Sequence, residues 1–96
     1  MTTMVCIEAE LRPERVDDAV AFLRERFPET RDYPGCKSIN AYLHDDGKTM
    51  VFVELWEAQA HFERYLAWRQ ESGSFEKFTD MVVGDMNIRT FTEVDA

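Results

Sequence analysis

Residues Val51 to Glu57 read VFVELWE. Taken in alternation, Val51, Val53 and Leu55 form one row and Phe52, Glu54 and Trp56 the other. A period of two is the signature of a strand, and a strand apolar in both rows is covered on both faces. One row carries a carboxylate, Glu54, between two aromatic rings. The stretch therefore poses two questions: what covers each face, and whether Glu54 is a base in a pocket or a charge paired within a sheet.

Upstream, HDDGK (44–48) has hairpin-turn chemistry, because Asp46-Gly47 tolerates positive φ. Before it, Cys36 to His44 alternates, with Ile39, Ala41 and Leu43 in one row and Cys36, Asn40, Tyr42 and His44 in the other. Two antiparallel strands thus meet at Asp46-Gly47. Further upstream, Met4 to Leu11 alternates around Val5, Ile7, Ala9 and Leu11. Pro13 then suits a first helical turn. Val16, Val20, Leu23 and Phe27 follow at helical spacing, and Pro28 is expected to end this helix or close its last turn. RDYPGC (31–36) reads as a turn.

Downstream, Ala58 to Gln70 is a helix with Phe62, Tyr65, Leu66 and Arg69 on one face. Ser74 is expected to cap a short second helix carrying Phe75, Phe78 and Val82, with Gly84 closing it. Met86 to Val94 alternates as a last strand. The order β-α-β-β-α-β predicts one domain, residues 1–96, with a ferredoxin-like α+β fold: helices on one face of an antiparallel sheet whose first and third strands are central. The helices cover one row of VFVELWE. Leaving the other in water forfeits roughly 1.5–3 kcal/mol per Val or Leu. A second copy is the simplest cover, which predicts a homodimer with two sheets face to face.

Composition narrows the partners. The chain has 96 residues, 45% of them hydrophobic, and a net charge of −8. Phosphate recognition needs clustered Lys and Arg, so nucleic acid is not an expected partner, nor is an anionic membrane surface. Cys6 and Cys36 lack metal-site spacing, so no metal is expected. With no signal-like opening and no long apolar run, a soluble cytoplasmic protein with free thiols is the expectation.

The segments YPGC (33–36), VFVELWE and AQAHFERYL (58–66), with DMNIRTF (85–91), resemble the antibiotic biosynthesis monooxygenase family across nearly the whole chain. The last of these is similar to bacterial quinol monooxygenases of the group. The resemblance implies a dimeric α+β barrel and oxidation without metal, flavin or other cofactor. A small electron-rich aromatic substrate, such as a hydroquinone, anthrone or naphthacenone, is deprotonated and its anion reacts with O2. The family's strand tryptophan falls on Trp56. Polyketide-oxidising members carry Asn four residues before it, where Phe52 stands. Many carry a helix His nine residues after it, where Tyr65 stands. Haem-degrading relatives need Asn on the first strand and an axial His; Ala9 and SFEKFTDM (74–81) supply neither.

Glu54 is the leading catalytic candidate: burial among aromatics raises a carboxyl's pKa and makes it a usable base. The alternative is a structural pair with an Arg or a Tyr hydroxyl. Trp56 either stacks on substrate or packs the core. Tyr65 either stabilises a phenolic anion or bonds to the backbone. Phe52 and Phe62 are candidate wall residues. His61 is a base candidate or a half-exposed helix residue. Tyr42 joins the cavity only if the hairpin register places it there. Arg89 binds an anionic substrate oxygen or pairs with Glu8 or Glu10 across the ladder. Three functions fit: a cofactor-independent monooxygenase or quinol oxidase, a non-catalytic dimer holding a small aromatic, and a non-oxidative isomerase or cyclase using Glu54.

Overall fold

The computed structural model describes residues 1–96. It contains β1 (Thr3–Glu10), a 3-10 turn (Pro13–Arg15), α1 (Val16–Asp32), β2 (Cys36–Leu43), β3 (Thr49–Trp56), α2 (Gln59–Glu71), α3 (Ser74–Thr79) and β4 (Asn87–Thr92). The antiparallel sheet runs β2-β3-β1-β4, with β1 and β3 central. This is the α+β, ferredoxin-like arrangement that the element order predicts.

The helices cover one face. Val5, Ile7 and Ala9 of β1 and Phe52, Glu54 and Trp56 of β3 are buried beneath them, joined by Ala19, Leu23, Phe62, Tyr65 and Phe78. Val51 and Val53 are half-buried on the other face, and Leu55 is exposed. Register sets who shares that open face. Phe91 lies opposite Met4, Arg89 opposite Cys6 and Tyr42 opposite Val51.

The β2–β3 turn is fixed by Asp46. Its carboxylate accepts from Lys48 N at 2.9 Å, Thr49 N at 2.8 Å and Thr49 Oγ1 at 2.6 Å. These bonds, the Thr49 hydroxyl foremost, hold the Asp46 carboxyl well below the usual carboxylate range. Gly47 completes the turn at φ +77°.

Three local expectations are corrected. Pro28 does not end α1, which continues to Asp32. Pro28 and Arg24, four residues earlier, are both exposed, so the carbonyl left without a partner faces water. Ser74 is the first residue of α3 rather than its cap; Gly73 holds that position at φ +80°, with no side-chain cap. That helix stops at Thr79, and Val82 leaves it to bridge Leu11. Backbone bonds from Arg12 N to Met81 O (2.8 Å) and Val83 N to Glu10 O (2.7 Å) pull the segment along the end of β1, leaving nothing helical for Gly84 to close.

Candidate functional site

A cavity of about 80 Å3 lies between the sheet and the helices. Its walls are mostly aromatic and aliphatic, with Phe52 from β3, Phe22 and Phe27 from α1, Phe62 from α2 and Phe75 and Phe78 from α3. The polar groups on it are Glu54, Thr30, Tyr65, Arg26, Arg69 and Ser74. A larger, shallower groove of about 390 Å3 separates α1 from β2; its only charged residues are Arg24 and Arg31, both exposed. The buried ionisable side chains therefore line the smaller space.

Glu54 is 1% exposed. Its Oε1 accepts a 2.9 Å hydrogen bond from Trp56 Nε1, the next residue on the same side of β3. Burial pushes its carboxyl up to about 7, opposed by that bond and by the positive charge of Arg69. The partner is thus Trp56, not the Arg or Tyr hydroxyl considered from sequence. A carboxyl in this range exchanges protons near neutral pH.

Opposite it, Tyr65 and Arg69 sit one turn apart on the buried face of α2, and Thr30 projects from the last turn of α1. Tyr65 Oη and Thr30 Oγ1 are 2.7 Å apart, and either can donate. Arg69, only 7% exposed, donates from Nε to Tyr65 Oη at 2.9 Å and from Nη2 to Thr30 Oγ1 and the Arg26 carbonyl, both at 3.0 Å. Its Nη1 donates to Glu29 Oε1 at 3.0 Å and Ser74 Oγ at 3.4 Å. The hydrogen bond to Arg69 lowers the Glu29 carboxyl. Burial raises the Tyr65 phenol, against its bonds to Arg69 and Thr30.

The other candidates divide. Phe52 and Phe62 line the cavity with Glu54 and Tyr65. Trp56 does not: wholly buried behind Glu54, against Tyr33, Phe62 and Tyr65, it has no face free for a substrate. His61 also lies off the cavity. It packs over Gly35, its Nε2 is 3.9 Å from Glu57, and its buried Nδ1 has no partner. Gly35 sits at φ +92°, and a Cβ there would collide with the His61 ring. The YPGC turn needs its glycine for both reasons.

Tyr42 is corrected: its register with Val51 puts it on the open face, 57% exposed. Arg89 is likewise on the open face, over the Phe91 ring at 5.7 Å, and forms no ion pair with Glu8 or Glu10. Cys36 leaves the Asn40/Tyr42 row, because an irregularity between Cys36 and Ser38 pairs it with Trp56. It packs against the core, and burial raises its thiol pKa. No three His, Cys, Asp or Glu side chains gather as a metal site would require.

Sequence reasoning missed Thr30 and the central place of Arg69. The available signal was a charged side chain, Arg69, on the apolar face of a helix four residues after Tyr65. A cation buried there must have partners.

A two-layer α+β fold with a carboxyl-bearing aromatic cavity under the helices is one of a known kind. Residues 2–79 match the family described as antibiotic biosynthesis monooxygenase, and the chain belongs to that family. Among solved structures it is similar to an antibiotic biosynthesis monooxygenase, with 19% identity, a TM-score of 0.85, and coverage of 96% of this chain and 98% of that one. It is also similar to a conserved protein from Methanosarcina mazei, with 14% identity, a TM-score of 0.89 and coverage of 98% and 94%. A Mycobacterium tuberculosis protein shares 19% identity, a TM-score of 0.79 and coverage of 100% and 98%. At these identities the likeness is one of fold. No curated protein matches the sequence. No helix is long and apolar enough to cross a membrane.

Proposed function

We propose that the chain is a cofactor-independent monooxygenase of small electron-rich phenols. The observation that carries this is Glu54: a buried carboxyl titrating near 7 on the wall of an aromatic cavity. In its ionised form Glu54 takes the proton of a phenolic hydroxyl. The electron-rich anion passes one electron to O2, and the radical pair combines to form a carbon–oxygen bond. Loss of water then leaves the ring with one oxygen atom more and two hydrogens fewer. One O2 is consumed and one water released, so the balance requires no other reductant. Family membership supports this chemistry class, and Tyr65 lining the same cavity supports a role for its hydroxyl towards the phenolic anion.

Size favours a single ring. The cavity is about 80 Å3, against roughly 150 Å3 for a dry cavity that holds benzene. Even one ring requires the walls of this cavity to give outward. Oxygen uptake with product masses, over hydroquinones, anthrones and naphthacenones, tests the reading. Hydroquinones are expected to turn over first, each product gaining one oxygen. Ligand retention without oxygen use would instead indicate a binding protein, and a product of unchanged mass an isomerase or cyclase.

The active form is proposed to be a homodimer through the open face, supported by Val51, Val53, Leu55, Tyr42 and Phe91 lying there. Sedimentation should give twice the chain mass, falling to one chain in V53E/L55E. Wild type sedimenting as a monomer at micromolar concentration would refute this.

A further inference from the structure

Arg69 has five N–H donors, and all five are engaged: Nε with Tyr65, Nη1 with Glu29 and Ser74, Nη2 with Thr30 and the Arg26 carbonyl. The buried cation has no donor left for a ligand. Its charge acts on Glu54 across the cavity, and its hydrogen bonding reaches the cavity only through its partners, chiefly Tyr65 and Thr30.

These two hydroxyls share a 2.7 Å contact that either can donate. In one arrangement the Tyr65 O–H donates to Thr30, and Thr30 donates to the Arg26 carbonyl at a long 3.4 Å. In the other, Thr30 donates to Tyr65 Oη, which then accepts from both Thr30 and Arg69 Nε. The Tyr65 hydrogen is then free for the cavity. The second arrangement keeps the Arg26 carbonyl satisfied, because it still accepts from Arg69 Nη2 at 3.0 Å, and leaves the Tyr65 O–H as the one donor for an occupant to pair. Exchange needs two hydroxyl rotations and breaks no covalent bond.

We propose that Thr30 is a positioning residue that turns its hydroxyl from the Arg26 carbonyl to Tyr65 when an oxyanion occupies the cavity, freeing the Tyr65 O–H to donate to that oxyanion. This rests on the reading that a phenol ionised by Glu54 is the occupant. Arg69 holds both oxygens in place throughout. The charged groups around the pair are Glu54 from β3, Arg26 and Glu29 from α1, and Arg69 from α2. A tyrosine oxygen that accepts two hydrogen bonds is a stronger donor, so the device favours anionic over neutral ligands.

The test uses 4-nitrophenol, whose ionisation is visible by absorbance, and nitrobenzene as its neutral counterpart. Wild type and Thr30→Ser should bind 4-nitrophenol as the phenolate, with its apparent pKa below the free value. Thr30→Val, which lacks the hydroxyl, should lose roughly tenfold in phenolate affinity while binding nitrobenzene as before. Tyr65→Phe should show the same selective loss, and it serves should Thr30→Val fail to fold. Equal losses for both ligands in Thr30→Val would mean ordinary packing and would overturn the relay. So would an unchanged phenolate preference in either variant, with the reading of the cavity left standing. Wild type that binds neither compound overturns both the reading and the relay.

Discussion

Trp56 Nε1 donates to Glu54 Oε1 at 2.9 Å, from two residues along the same strand and out of contact with solvent. A strand's period of two puts these side chains next to each other on one face. The indole satisfies one carboxyl oxygen, fixes its orientation and leaves the rest of the group to the cavity. In the proposed reaction Trp56 thus has its part through Glu54 rather than through contact with a substrate.

Glu54 makes stability depend on pH. Its folded pKa is raised from an ordinary 4.5 to about 7, so the folded state holds the proton more tightly than the unfolded chain. Its contribution is complete below pH 4.5 and is lost as pH rises to 7, with a total of about 3 kcal/mol. Glu54→Gln removes that dependence and keeps an acceptor for Trp56. Urea titrations should find the variant close to wild type at pH 4.5 and more stable by a few kcal/mol at pH 8.

The same substitution should abolish base catalysis. A general base typically contributes about 10²–10⁴-fold, so kcat should fall by about that factor with KM little changed. The rate of wild type should rise with pH through a midpoint near 7. Full activity in Glu54→Gln would assign the base elsewhere.

Trp56→Phe removes the donor while retaining a ring. Its hydrogen bond lowers the Glu54 pKa, so its loss leaves burial less opposed. The midpoint of the pH–rate profile should move upward, and stability should drop by about 1–3 kcal/mol from the unpaired carboxyl oxygen. A drop in stability with an unmoved midpoint would limit Trp56 to packing.

Phe78 is buried on the α3 wall of the cavity. Phe78→Ala should cost about 3–5 kcal/mol and admit larger rings. Calorimetry should show tighter binding of naphthalene-sized ligands than in wild type, despite the weaker fold.

Gly35 carries two separable constraints, positive φ and contact with His61. Gly35→Ala should be destabilising, with about 1–2 kcal/mol coming from the backbone alone. Combining it with His61→Gly, which removes the Cβ that alanine would keep against Gly35, should relieve the collision and leave the backbone cost. A double-mutant cycle from thermal denaturation measures the difference.

The two rows of VFVELWE were legible because a strand's period is rigid and Asp46-Gly47 marks the hairpin. Cys36 was misplaced because a one-residue irregularity inverts every row before it, and nothing in CKSINAYL announces one. Tyr42 depended on a register that periodicity leaves open. Thr30 was hidden by Pro28: a helix expected to stop there has no turn left to present it. Its importance arises only when Arg69, 39 residues away in sequence, arrives beside it. Burial patterns reveal which face is covered; long-range polar pairing has no such periodicity.

No residue of β4 is buried, and its ladder joins β1 alone. Local opening free energy follows buried contact, so this strand belongs to the least protected part of the sheet. Its amides should exchange with deuterated solvent well before those of β3, which is flanked on both sides. The four strands share one sheet but do not share one lifetime.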